Sequence, residues 1–210
     1  MTPDDDEALK DETHRKRMVE AKRQQDEEVA KRKDTKGLLL VHTGDGKGKS
    51  TAGFGLAIRA AGHGFAVAVV QFTKGSWKTG EGVAFKRFPE IDHFIVGDGF
   101  TWDTQDRQAD MRAAREGFAL VERLIEACRG ESPKYELLVL DELNIVVDYG
   151  YLPVTLVIET LQGRPPDLHV CVTGRGAPRE LMEIADTVTE MRMIKHAYEA
   201  GIKAQRGIEF

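Results

Sequence analysis

Residues 43–51 read Thr43-Gly44-Asp45-Gly46-Lys47-Gly48-Lys49-Ser50-Thr51, and this run constrains the fold more than any other. The apolar stretch Gly37-Leu38-Leu39-Leu40-Val41-His42 precedes it, and residues 50–62 follow with helical spacing, closed by Gly62 and Gly64. The order is a buried strand, a glycine-rich turn, then Lys-Ser opening a helix. Gly44, Gly46 and Gly48 allow backbone N–H groups to converge on an anion. The helix adds its free N–H groups and the positive end of its dipole. Lys49 brings a compact charge, and the Ser50 hydroxyl can share a Mg2+ ion with phosphate oxygens. The usual G-x-x-x-x-G-K-[ST] pattern has glycine where this chain has Thr43, and Asp45 and Lys47 are additional charges beside the phosphates. A glycine-rich turn without a ligand is the alternative, but the flanking strand and helix argue against it.

The rest of the chain repeats the alternation. Strands are predicted at residues 65–72, 91–96, 137–140 and 169–173, and helices at 105–129, 153–162 and 178–185. In the long helix Met111, Ala114, Phe118, Val121, Ile125 and Cys128 recur at three- to four-residue spacing. Strands alternating with helices imply an α/β fold of the P-loop (RecA-like) kind: an open, mostly parallel sheet with helices on both faces. The expected domains are a charged N-terminal arm at 1–36 and the P-loop domain at 37–210. The arm carries 11 acidic and 10 basic residues with few apolar ones. Pairs such as Glu12/Lys16, Glu27/Lys31 and Glu28/Arg32 suit a solvated helix, and a frayed tail is the other reading.

Composition removes several function classes. The formal net charge is −5, which argues against a nucleic-acid binder. No apolar run approaches the roughly 20 residues needed to cross a bilayer, and the N-terminus lacks the apolar stretch of a leader. The cytoplasm is the expected compartment. Cys128 and Cys171 are isolated, so neither a disulfide framework nor a cysteine metal cluster is expected. The six histidines have no zinc-type spacing.

Other residues extend the phosphate-loop reading. Leu137-Leu138-Val139-Leu140 runs straight into Asp141-Glu142, like a Walker B element. In a parallel sheet the carboxyl ends of strands face the ligand crevice, so either acid could hold Mg2+ directly or through water. A solvated acidic loop is the plainer alternative. Thr173-Gly174-Arg175-Gly176 also follows a strand, which puts Arg175 either in the same crevice or on a surface turn. Arg59 falls on the first helix after the loop. Phe100 and Trp102, in Gly97-Asp98-Gly99-Phe100-Thr101-Trp102-Asp103, are either core anchors or an apolar platform for a flat ligand. Trp77 is ambiguous in the same way.

Several stretches carry a family resemblance: TGDGKGKST at 43–51, VVQFTKGSW at 69–77, GFTWDTQDR at 99–107, LVLDELN at 138–144, VTGRGAPREL at 172–181 and KHAYEAGIKAQRGIEF at 195–210. In order and content, residues 37–210 resemble the ATP:corrinoid adenosyltransferases of the CobA/CobO/BtuR type. The resemblance implies transfer of the 5′-deoxyadenosyl group of ATP to the Co(I) of a reduced corrinoid, with release of triphosphate, in coenzyme B12 biosynthesis or salvage. It implies that ATP lies in the loop in the reversed sense, held by Gly44, Asp45, Gly46, Lys47, Gly48, Lys49, Ser50 and Thr51, with Arg59 and Arg175 as further contacts. Ser50 and Glu142 would stand on the side of a Mg2+ (or Mn2+) ion, with Asp141 in support. Lys49, Phe100 and Trp102 would be the catalytic residues, the two aromatics displacing the corrinoid's lower axial ligand. The resemblance further implies a homodimer, an arm that serves as a lid, and a flavoprotein or flavin reductant. The chain departs from relatives at Asp45 and Ser50, where Asn and Thr occur. A RecA-like ATPase releasing ADP and Pi is the alternative, though it would need a basic nucleic-acid track that this chain lacks.

Overall fold

The computed structural model describes residues 3–73, 79–96 and 106–209. The chain divides into two units, residues 1–35 and 36–210. The first is one helix, α1 (Pro3–Ala30). Every described side chain from 10 to 36 is exposed. Ion pairs one turn apart support the helix: Lys16–Glu12 at 2.7 Å, Arg23–Glu20 at 2.6 Å and Arg32–Glu28 at 3.5 Å. Each contributes a few tenths of a kcal/mol. Glu27 pairs with Arg23 rather than with Lys31, which turns to Glu28.

The second unit is built on β1 (Leu39–Thr43), α2 (Lys49–Gly62), β2 (Val67–Gln71), α3 (Gly80–Phe85), β3 (Ile91–Ile95), α4 (Arg107–Glu126) and β4 (Leu137–Asp141). It continues through α5 (Leu143–Asp148), α6 (Val154–Gln162), β5 (His169–Thr173), α7 (Arg179–Ile184) and β6 (Thr187–Glu190). The six strands form one sheet in the order β3-β2-β4-β5-β1-β6, and every pairing is parallel.

Neighbouring residues on each central strand serve opposite faces. Ala68, Val70, Leu138, Leu140, Val170 and Val172 join one core cluster with Phe118 and Val121 of α4, Leu161 of α6 and Leu181 of α7. Val67, Val69, Leu137, Val139 and Cys171 join another with Phe54, Ala57 and Ala61 of α2 and Phe85 of α3. Burial on both faces is why these strands read as unbroken apolar runs. All strands being parallel, they end at one edge, and the turns after β1, β4 and β5 gather there. β5 lies between β1 and β4, so a strand's width separates the phosphate loop from the acidic turn. Among the described residues no helix is long and apolar enough to cross a membrane.

Candidate active site

The turn after β1 is shaped as much by the chain beside it as by the groups it can bind. Residues 191–192, just past β6, run along its back. Met191 donates its N–H to the Thr43 carbonyl at 2.8 Å, and Gly46 donates to the Met191 carbonyl at 2.7 Å. A Cβ on Gly44 would stand 2.4 Å from the Met191 oxygen, and one on Gly46 would stand 2.7 Å from the Arg192 backbone. Gly44 also has φ +94°, but Gly46 is required by this packing alone. Thr43, in place of the pattern's glycine, is buried, and its hydroxyl accepts the Ala177 N–H at 3.1 Å. That bond ties the base of the loop to the turn carrying Arg175.

Lys49 opens α2 and its side chain folds back into the loop. Its ammonium donates to the carbonyls of Gly44 and Gly46, both at 2.7 Å, and the residue is buried. Burial pushes its pKa below the ordinary lysine value; Glu142 opposes this, Arg175 adds to it, Asp45 opposes it and Lys47 adds to it. The structure therefore brings Asp45, Lys47, Glu142 and Arg175 within electrostatic reach of Lys49. Ser50 and Thr51 lie on the same first turn, half-buried and exposed respectively. Lys47 is exposed and pairs with Glu209. Beneath the loop, burial holds the His42 imidazole below its usual pKa, while a backbone contact with Lys49 pulls the other way.

The two acids after β4 have different surroundings. Asp141 is fully buried, and its carboxylate accepts Gln71 Nε2 at 2.9 Å and Thr173 Oγ1 at 2.7 Å. Glu142 is half-buried with φ +64°, the one positive φ outside glycine among the described residues. Such a backbone costs about 1–2 kcal/mol and is kept only where surrounding bonds enforce it. Here the Glu142 N–H donates to Thr173 Oγ1 at 3.0 Å. Asn144, at the start of α5, is fully buried and donates to the Gly174 carbonyl at 3.1 Å, which fixes the Arg175 turn from below.

Arg59, expected as a further contact, stands apart from the loop. It lies ten residues after Lys49 on α2, about 15 Å along the helix. There it lines a cleft of about 420 Å3 with Leu38, Leu137 and His169, at the opposite end of the strands. Within one chain it does not meet the loop. Phe100, Trp102 and Trp77 lie outside the described residues. Gln71, Thr173 and Asn144 are site-organising residues that the sequence reading did not single out for that role. The one signal for Gln71 was an amide ending an otherwise apolar strand.

Among the described residues no three His, Cys, Asp or Glu side chains are grouped to hold a metal. Glu142, near enough to act on Lys49, and Ser50, the next residue after it, fit the sparse hard-oxygen set with which Mg2+ binds alongside phosphates.

Residues 35–210 match the family described as ATP:corrinoid adenosyltransferase BtuR/CobO/CobP. The chain belongs to this family. It is 50% identical to the corrinoid adenosyltransferase of Pseudomonas aeruginosa over 202 residues, covering 96% of this chain and 97% of that one. It is 42% identical to the Escherichia coli K12 corrinoid adenosyltransferase and to the Salmonella typhimurium corrinoid adenosyltransferase CobA, each over 96% of this chain and 100% of the relative. The protein is thus a transferase that adenosylates a corrinoid with ATP. The hydrolytic alternative is not favoured.

Proposed function

We propose that the turn after β1 grips the triphosphate of ATP as a leaving group while the Co(I) of the reduced corrinoid attacks C5′ of the ribose. The observation that carries this is the buried Lys49 ammonium folded into the glycine-rich turn at the carboxyl edge, with Lys47 and Arg175 near enough to act on its charge. The Co–C bond forms as the C5′–O bond breaks, and the electron pair leaves with the triphosphate oxygen. The nucleophile carries no proton, so no general base is needed. The protein's part is orientation and the neutralisation of charge on the departing phosphates. Lys49 is positioned for this by the Gly44 and Gly46 carbonyls, which hold its ammonium in the loop.

Ser50 and Glu142 would hold Mg2+ against the phosphates, with Asp141 behind them, and the ion would supply further charge neutralisation. Phe100 and Trp102 are proposed as the corrinoid-side pair that excludes the lower axial ligand, and α1 as a lid in a homodimer. A flavoprotein or flavin is the proposed reductant, and the cytoplasm, where ATP is made, the proposed compartment. The family match and the aromatic motif support these assignments.

The test is anaerobic. The protein is mixed with Mg·ATP and chemically generated cob(I)alamin, and the visible spectrum is followed. Formation of a light-sensitive Co–C bond at a rate dependent on protein is expected. An unchanged corrinoid spectrum with ATP bound would reject the proposal.

A further inference from the structure

Beneath the acidic turn, four adjacent strands are joined by one chain of polar side chains, buried at the strand ends Gln71, Asp141 and Thr173 and half-buried at His93. His93 on β3 meets Gln71 Oε1 through Nε2 at 2.7 Å. Gln71, the last residue of β2 and 2% exposed, passes its Nε2 to Asp141 Oδ2 on β4. Asp141 Oδ1 receives the hydroxyl of Thr173 on β5, and Thr173 receives the N–H of Glu142. The register makes these contacts close to obligatory, because Gln71 stands directly opposite Asp141 in the β2–β4 ladder.

Donors and acceptors give the chain a direction. A backbone N–H only donates, so Thr173 accepts from Glu142 and its single hydrogen goes to Asp141. Gln71 turns its NH2 group toward Asp141 Oδ2, which leaves its carbonyl facing His93. His93 then donates from Nε2. With every link in this order, both Asp141 oxygens are engaged and the Glu142 backbone is pinned at its left-handed φ.

We propose that Gln71 is a positioning residue for the Asp141–Glu142 pair, with His93 setting the direction of its amide. Gln71 is buried and bonded to Asp141, so it acts through that carboxylate. Without its donor, a fully buried carboxylate loses the bond at Oδ2. Thr173 is then free to turn, Glu142 loses its restraint, and its carboxylate drifts from Lys49. The inference rests on the reading that Glu142 serves the metal side of the site.

The full-length protein and its Gln71→Met variant, of similar volume but without donors, would be titrated with ATP by calorimetry, with and without Mg2+. Metal-free ATP affinity should be unchanged, because the phosphate loop is untouched. The tightening of ATP binding by Mg2+ should fall about 10-fold, as should kcat with chemically generated Co(I), in the range seen when partners behind a metal ligand are removed. His93→Leu, at a half-buried edge position, should act in the same direction by roughly 3-fold, and His93→Gln, which keeps a donor, should restore function. A purely structural role would lower the melting temperature without separating the two ATP affinities. If Gln71→Met does not fold, Thr173→Val reads the same chain from its other end. Retention of both the Mg2+ effect and kcat in Gln71→Met, or in Thr173→Val if that variant stands in, would overturn the proposal. If the unmodified protein shows no Mg2+ effect, the metal-side reading fails instead. The positioning role then rests on kcat alone: a 10-fold loss sustains it and no loss removes it.

Discussion

The turn after β1 and the turn after β4 leave the same edge of one sheet and both enter helices, yet their backbones reach the required shape by different means. The first uses glycine. Gly44 and Gly48 take positive φ at little cost, and the loop is braced by the backbone of residues 191–192. The second places Glu142 in the left-handed region and holds it there with Thr173. Glycine would have been the cheaper residue at that position. The chain keeps a carboxylate there at a cost in backbone energy, which is the pattern expected of a residue retained for chemistry. The phosphate loop, by contrast, could form from packing alone.

The comparison can be broken first at its strongest point. Lys49→Ala removes the ammonium that bridges Gly44 and Gly46, and with it the main charge in the loop. ATP affinity, measured by calorimetry, should fall on the order of 100-fold, the scale of one or two charge-assisted bonds. Normal binding would mean that the loop is not the triphosphate site.

Glu142→Gly separates strain from function. It relieves the left-handed backbone but deletes the carboxylate. Denaturant unfolding should show stability unchanged or raised by up to about 1 kcal/mol, while transfer from Mg·ATP falls by about 10- to 100-fold. A clear loss of stability would show that the turn is not strained in the way described.

Much of this was readable in the sequence. Unbroken apolar runs marked the central strands, and the glycines with Lys49 and Ser50 marked the loop. Among the elements of the sheet domain named above, three escaped. β6 is exposed along its length and has no apolar alternation. α3 carries two glycines in six residues. α5 begins directly at the acidic turn, where the preceding strand's apolar run masks its start. The bonds organising the site were hidden for a different reason. Gln71 and Asp141 are 70 residues apart, and Thr43 and Ala177 are 134 apart, so only the strand order brings them together. The distance of Arg59 from the loop was hidden too, because spacing on a helix says which face a residue occupies but not how far it lies from the turn.

Thr43→Gly restores the glycine of the usual pattern and so sharpens the comparison. If Thr43 anchors the Arg175 turn through Ala177, the change should lower stability by about 1 kcal/mol and the melting temperature by about 2–4 °C. A stabilised variant with tighter ATP binding would show that the departure has no structural purpose.

The smallest effect concerns pH. Burial lowers the His42 pKa from its ordinary value of 6.5, so the unfolded chain takes up this proton more readily than the folded one. Its influence on stability is nil well above pH 6.5, sets in unfavourably as the pH falls through 6.5, and levels off below the folded value. His42→Gln should flatten that part of the stability profile in urea titrations. An unchanged profile would assign the acid sensitivity to other groups.

The central claim is that the loop holds an intact triphosphate as the leaving group. Single-turnover reaction of the protein with Mg·ATP and cob(I)alamin, quenched and resolved by phosphorus NMR, tests it most directly. Tripolyphosphate in one-to-one ratio with adenosylated corrinoid is the result the account predicts. ADP and Pi, formed at a rate indifferent to the corrinoid, would contradict it.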